Sequence, residues 1–183
     1  VSGGQWKTGL PHGGNSEEEN LPHAVNQLDG IPRYLDDLRN EILSEGKERI
    51  RIPGVVFVTD IVGYFYPYQG EINDYQRIKG ALYHYAIQSA LRIVCTPEVT
   101  IEKQFEGVTI RGRVDLVCGD WLGEIKGSRY SRNQGILQLQ LYDWILGGGK
   151  KLLLIYSDLT YEVVPPNPKV EEMVRKYLKA KLF

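Results

Sequence analysis

Arg113-Val-Asp115-Leu-Val-Cys118-Gly119-Asp120-Trp121-Leu-Gly-Glu124-Ile125-Lys126 is the stretch whose reading decides this chain. Gly119-Asp120 has the composition of a two-residue turn, so the flanking segments are predicted to fold back as an antiparallel hairpin with Asp115 directly opposite Glu124. Cross-strand partners lie about 4.5–5.5 Å apart at Cβ, where like charges destabilise a sheet unless something positive lies between them. At that separation two carboxylates can grip one divalent cation. Alternation along the strands adds Lys126 and Arg113 to the same face. Val114, Leu116, Cys118, Trp121 and Ile125 make the other face, apolar enough to pack on a core. A half-exposed hairpin with ordinary surface charges is the plainer reading, and displacing it requires support elsewhere in the chain.

That support lies on both sides. Upstream, Gly80-Ala-Leu-Tyr-His84 falls on an amphipathic helix predicted from an Asp74 cap to about Val94. Downstream, Gly127-Ser-Arg129-Tyr-Ser-Arg132-Asn leads into a helix from about Asn133 to Leu146, closed by Gly147-Gly-Gly149. Gln134, Gln138 and Tyr142 recur every four residues on it and form one polar stripe, while Leu137, Leu141 and Trp144 point towards a core.

Taken together, these segments resemble the PD-(D/E)xK nuclease superfamily, whose core hairpin carries an aspartate on one strand and a Glu-x-Lys on the next. Gly80 to His84 is similar to the Gly-x-x-x-His motif of the RecB-type exonuclease group, and Gln138-Leu-Gln-Leu-Tyr142 to its Gln-x-x-x-Tyr motif. Within that group the resemblance is closest to the CRISPR-associated RecB-like exonucleases, over about residues 55 to 165. It departs from them at Tyr66-Pro67, where a cysteine normally precedes the proline. Many members bind an iron–sulfur cluster through four cysteines; here Cys95 and Cys118 are alone, so no cluster is expected.

The resemblance implies an α/β fold, a restriction-endonuclease-like mixed central β-sheet flanked by helices. It implies a divalent-metal-dependent deoxyribonuclease, an exonuclease acting on single-stranded DNA or DNA ends. Asp115, Glu124 and Lys126 would be catalytic; His84, Asp115, Glu124 and the Ile125 backbone carbonyl would hold Mg²⁺ or Mn²⁺, the imidazole favouring manganese. Arg113, Arg129, Gln138 and Tyr142 would contact DNA. A cleavage-inactive DNA-binding or assembly subunit of a CRISPR-related or viral replication complex is the alternative. Expected partners are DNA, further copies of the chain, and replication, repair or CRISPR-related proteins, with no membrane.

Composition sets the outer bounds. The chain has 183 residues, a formal charge of −1 and 42% apolar residues, which suits one globular domain with a sizeable core. With no long apolar run and no disulfide-rich pattern, a cytoplasmic protein of a prokaryote or of a virus-infected host cell, with reduced thiols, is expected. No phosphate-binding glycine loop is present, which excludes a nucleotide-driven motor of the familiar kind. Arg111, Arg113, Lys126, Arg129 and Arg132 gather around the proposed site. Residues 1–30, with His12, His23 and Glu17 to Glu19, read as an arm without chemistry, and 31–183 as the nuclease domain. Leu35, Leu38, Ile42 and Leu43 predict a docked helix from Ile31 ending at Gly46. Val55 to Val58 reads as a short buried segment, with Thr59 or Asp60 capping a turn. Tyr64, Phe65, Tyr66 and Tyr68 are either stacking groups for unpaired bases or core. Strands are predicted over 98–105, 108–117, 151–157 and 161–164, with a final helix from about Pro168. Glu98 and Glu102 read as solvated strand positions or as outer supports of the metal site.

Overall fold

The computed structural model describes residues 30–45 and 51–182. The N-terminal arm up to residue 29, with both of its histidines, and Gly46 lie outside the described residues. The chain divides into two units, the first ending at Glu41 and the second starting at Ile42. Helix α1 (Ile31–Ser44) spans that boundary, and none of its residues is buried. Its docking was expected from the apolar stripe.

The second unit holds one mixed six-stranded sheet. In chain order it runs β1 (Val55–Phe57), α2 (Val58–Phe65), α3 (Asp74–Leu91), β2 (Thr96–Phe105), β3 (Val108–Cys118) and β4 (Trp121–Lys126). A 3₁₀ turn (Arg129–Ser131), α4 (Arg132–Ile145), β5 (Lys151–Tyr156), β6 (Tyr161–Val164) and α5 (Val170–Lys181) complete it. The expected α/β class, a mixed sheet flanked by helices, is the one observed. Two helix starts differ from expectation. Helix α2 begins where only a turn was predicted, with the Asp60 carboxylate accepting the Phe57 N–H at 3.3 Å. Helix α3 is capped by Asn73, one residue before Asp74: Asn73 accepts the Gln76 N–H at 2.9 Å and Gln76 accepts the Asn73 N–H at 3.2 Å. The three glycines after α4 all take positive φ, and Gly148 donates to the Asp143 carbonyl at 2.8 Å, closing the helix as expected.

Strand β3 organises the sheet. Along one edge it pairs antiparallel with β2 from Val108 to Val117. Its other edge is shared: Thr109–Arg111 pair parallel with β1, and Leu116–Cys118 pair antiparallel with β4. Residues 112–115 therefore lie in a fork between β1 and β4. Beyond β4 come β5, parallel, and β6, antiparallel.

Alternation separates two cores across the sheet. Leu122, Leu152 and Leu154 pack with α2, α4 and α5, whereas Ile125 and Ile155 pack with Ile87 of α3. Helix α4 is central: Leu137, Leu139 and Leu141 are all buried, and so are Gln134, Gln138 and Tyr142. The single apolar face expected for the hairpin is divided. Val114 joins the α4 core, but Leu116 and Cys118 join the α3 core, so β3 turns over at Asp115.

Reduced thiols were expected, and the structure corrects this: Cys95 and Cys118 form a disulfide with Cα atoms 4.1 Å apart. Thr96 pairs with Val117, so the next rung sets the two cysteines against each other. Composition could not anticipate a contact made by strand register. Among the described residues, no helix is long and apolar enough to cross a membrane.

Candidate active site

The predicted hairpin register is the observed one. Cys118 pairs with Trp121, Val117 with Leu122 and Leu116 with Gly123, so the next rung would bring Asp115 to Glu124. The backbone ladder stops one rung short. There Asp115 turns its side chain inward, and its Oδ2 accepts the Ile125 N–H at 2.8 Å. A carboxylate thus replaces a missing strand–strand hydrogen bond at the root of the fork.

Around this point the sequence-predicted residues converge. His84 Nε2 lies 3.2 Å from Asp115 Oδ2, while its Nδ1 lies 3.1 Å from the Gly80 carbonyl, four residues back on α3. Lys126 Nζ lies 3.4 Å from Glu124 Oε1. Glu124 is 3% exposed and Asp115 9% exposed, and Glu124 Oε2 has no hydrogen-bond partner. Burial, and then the charge of Asp115, push the Glu124 carboxyl up to about 8, with Lys126 and His84 pulling the other way. For Lys126, burial opposes the charge, but Glu124, Tyr68 and Asp115 outweigh it and hold the ammonium above its ordinary value. His84 follows the same pattern: burial lowers its pKa, but the hydrogen bond and charge of Asp115 outweigh this and hold it above its ordinary value.

The direction of the Ile125 carbonyl follows from the backbone. N–H and C=O groups of successive strand residues point to alternate edges. The Lys126 carbonyl accepts from Ser157 N, beyond β5, and the Ile125 N–H points to Asp115, so the Ile125 carbonyl is directed to the β3 side.

Gln138 and Tyr142 sit beneath the site. Both are buried, and the Tyr142 hydroxyl donates to the Arg113 carbonyl at 3.0 Å. Burial, followed by the charge of Glu124, holds this phenol well above its ordinary value. The regular i, i+4 spacing was right about their common face; it could not tell a polar stripe facing solvent from one facing a buried carboxylate.

The arginines are not free cations. Arg111 pairs with Glu102 at 2.6 Å, Arg113 with Glu98 at 2.7 Å, Arg129 with Asp158 at 3.6 Å and Arg132 with Glu162 at 2.7 Å. Arg129 also stacks over Tyr156, 4.8 Å from its ring centre. It lines a cleft of about 380 Å³ with Gly127, Ser128, Tyr130, Tyr156 and Ser157, directly after the Glu-x-Lys strand. The tyrosine run divides. Tyr64 packs edge-on against Phe65 and Tyr177, whereas Tyr68 is 64% exposed and close enough to act on the charge of Lys126.

Three contributors were not singled out from the sequence. Gly135 of α4 leaves room for Lys126: a Cβ there would lie 3.1 Å from Lys126 Cγ and 2.7 Å from Leu154 Cδ1. Gln88 of α3 donates to the Asp115 carbonyl at 3.0 Å. Tyr130, fully exposed, projects from the rim of the cleft. For Gln88 the signal was its position one helical turn after His84.

No family model matches the chain, and no curated protein does. Solved structures do. The fold is shared with SSO0001. That crystal structure superposes with a TM-score of 0.59 at 21% identity, covering 81% of this chain and 86% of that one. An alkaline exonuclease, LHK-Exo from Laribacter hongkongensis, gives a TM-score of 0.44 at 15% identity over 69% of this chain and 87% of its own. A phage-related exonuclease from Haemophilus somnus 129PT gives 0.42 at 13% identity over 67% and 76%. The SSO0001 match concerns the fold and leaves the chemistry to the site.

Two carboxylates, an imidazole and a backbone carbonyl are the donor set of a Mg²⁺ or Mn²⁺ site. The orphaned Glu124 Oε2, buried next to Asp115, is the feature such an ion would satisfy. As the side chains stand, His84 Nε2 is in contact with Asp115 Oδ2, and among the described residues no three acidic, histidine or cysteine side chains are arranged as a finished metal site.

Proposed function

We propose that the protein is a divalent-metal-dependent nuclease of the PD-(D/E)xK type that hydrolyses DNA, acting on single strands or ends. The observation that carries this reading is the fork itself: two buried carboxylates in register, one with an oxygen lacking any partner, flanked by a half-buried lysine and a histidine. A binding protein has no use for this arrangement, because a buried carboxylate pair repels a polyanion.

Asp115, Glu124, His84 and the Ile125 carbonyl would hold Mg²⁺ or Mn²⁺, which when bound polarises the scissile phosphate and lowers the pKa of a water. Lys126, anchored by Glu124, keeps its ammonium beside that water; it orients the attack and offsets charge building on the phosphate oxygens. Tyr142 and Gln138 hold the floor on which Glu124 rests. Arg129, on its stack with Tyr156, and the outward part of Arg113 meet phosphates, which sets the position of the strand without reading its sequence. Tyr68, whose charge acts on Lys126, and Tyr130, on the rim of the cleft, offer exposed rings on which unpaired bases can stack, which supports single-stranded substrate.

The test is cleavage of end-labelled single- and double-stranded DNA in Mn²⁺, Mg²⁺ or EDTA, beside Asp115→Ala and Lys126→Ala proteins. Metal-dependent cleavage is expected, reduced at least about 100-fold in Lys126→Ala. DNA binding without cleavage in any metal would instead identify a binding or assembly subunit.

A further inference from the structure

We infer that Glu98 and Gln88 are positioning residues: they form a brace that sets Asp115 against His84, and thereby the metal affinity of the site. This rests on the metal-nuclease reading above and goes beyond it to residues outside the ligand set.

Glu98 is out of line with its strand. Its φ is 55°, in the left-handed region that residues with a side chain seldom enter. The β2–β3 register runs through Pro97–Leu116 and Val99–Val114 but lacks the rung between them, where Glu98 would pair with Asp115. Both ladders of β3 therefore lapse at Asp115, towards β4 and towards β2. A strand residue with neither neighbour pairing it needs other anchors.

Gln88 supplies one. Its amide nitrogen donates one hydrogen to the Asp115 carbonyl at 3.0 Å and the other to Glu98 Oε1 at 2.7 Å. Both partners are acceptors, so the orientation of the amide is settled by its surroundings. Glu98 Oε2 in turn takes Arg113 Nε at 2.7 Å, two residues before Asp115 on the same strand. Gln88 and His84 are one turn apart on α3, so the helix grips Asp115 by both ends: the carbonyl through Gln88 and the carboxylate through His84. The unusual φ of Glu98 brings its carboxylate to the one position that closes this circuit. Backbone strain of this kind persists where the surroundings impose it, and it gathers at functional sites.

The brace is read by separating metal affinity from stability. Glu98→Gly frees the backbone at φ 55° while removing the carboxylate, so its thermal midpoint is expected within about 3 °C of wild type. Its Mn²⁺ affinity, by isothermal titration calorimetry, is expected to fall about tenfold, the loss usual when the support of a ligand is removed. Turnover should fall at limiting Mn²⁺ and recover in excess. Gln88→Leu should behave in the same way. Glu98→Gln, which keeps an oxygen for the Gln88 amide, should restore most of the affinity.

If Glu98→Gly binds Mn²⁺ like wild type, or if Glu98→Gln loses as much as Glu98→Gly, the brace is overturned while the nuclease reading stands. A wild-type protein that binds no Mn²⁺ and cleaves no DNA overturns both.

Discussion

At the scale of single residues, the site depends on what is absent as much as on what is present. Gly135 faces the stem of Lys126 across a gap that a methyl group would close, 2.7 Å from Leu154 and 3.1 Å from Lys126. Lys126 cannot yield freely, because its ammonium is held by Glu124 in a buried setting. Gly135→Ala is therefore expected to cost about 1–3 kcal/mol of stability through overpacking and to lower turnover by displacing the ammonium. Urea unfolding and single-turnover cleavage on the same preparation check both parts; normal turnover in a destabilised protein would show that Leu154 alone gives way. Asp115, Glu124 and Lys126 were legible from spacing because a hairpin register is set by its turn. Gly135 was not, because nothing local to α4 says which strand residue lies across from it.

At the scale of elements, two links tie the helices around the site to the sheet. The Cys95–Cys118 bond joins the end of the α3 segment to the end of β3 across 23 residues of sequence. On loop entropy alone it contributes about 3 kcal/mol. Urea melts with and without reductant are expected to differ by that amount, and a Cys95→Ser, Cys118→Ser protein should match the reduced one. The second link joins α4 to β6: Arg132 donates to both carboxylate oxygens of Glu162, which also accepts the Tyr156 hydroxyl. The Arg132 hydrogen bonds hold the Glu162 carboxyl below its ordinary 4.5. A carboxylate lowered by folding contributes stability that is complete above that ordinary value and fades as pH falls through the lowered one. The stability difference between wild type and Glu162→Gln should accordingly be largest near neutrality and narrow in acid, as unfolding across pH 2–7 would record. A constant difference would assign the effect to packing rather than to the ion pair. Register put the cysteines together, and the chain gave no local sign of it. The end of α4, by contrast, was legible from its glycine run.

At the scale of the whole molecule, the chain carries a formal charge of −1, and each arginine around the site has a carboxylate partner. Binding of DNA must therefore exchange ion pairs rather than fill an open basic surface. With Arg113, Arg129 and Arg132 engaged, the binding of single-stranded DNA by an Asp115→Ala protein should weaken with salt at a log–log slope of about −2. A slope near −5 would call for a larger basic surface than these three arginines provide. The sequence by itself determined the α/β class, the hairpin that brings Asp115 to Glu124, and the helices carrying His84 and Gln138, because turns, caps and periodicity act over a few residues. Tertiary structure alone decided that β3 would fork between β1 and β4, that α4 would be central and its polar stripe buried, that the arginines would be paired, and that Gln88 and Glu98 would meet Asp115. Those outcomes depend on register and packing between segments far apart in the chain, where no local signal reaches.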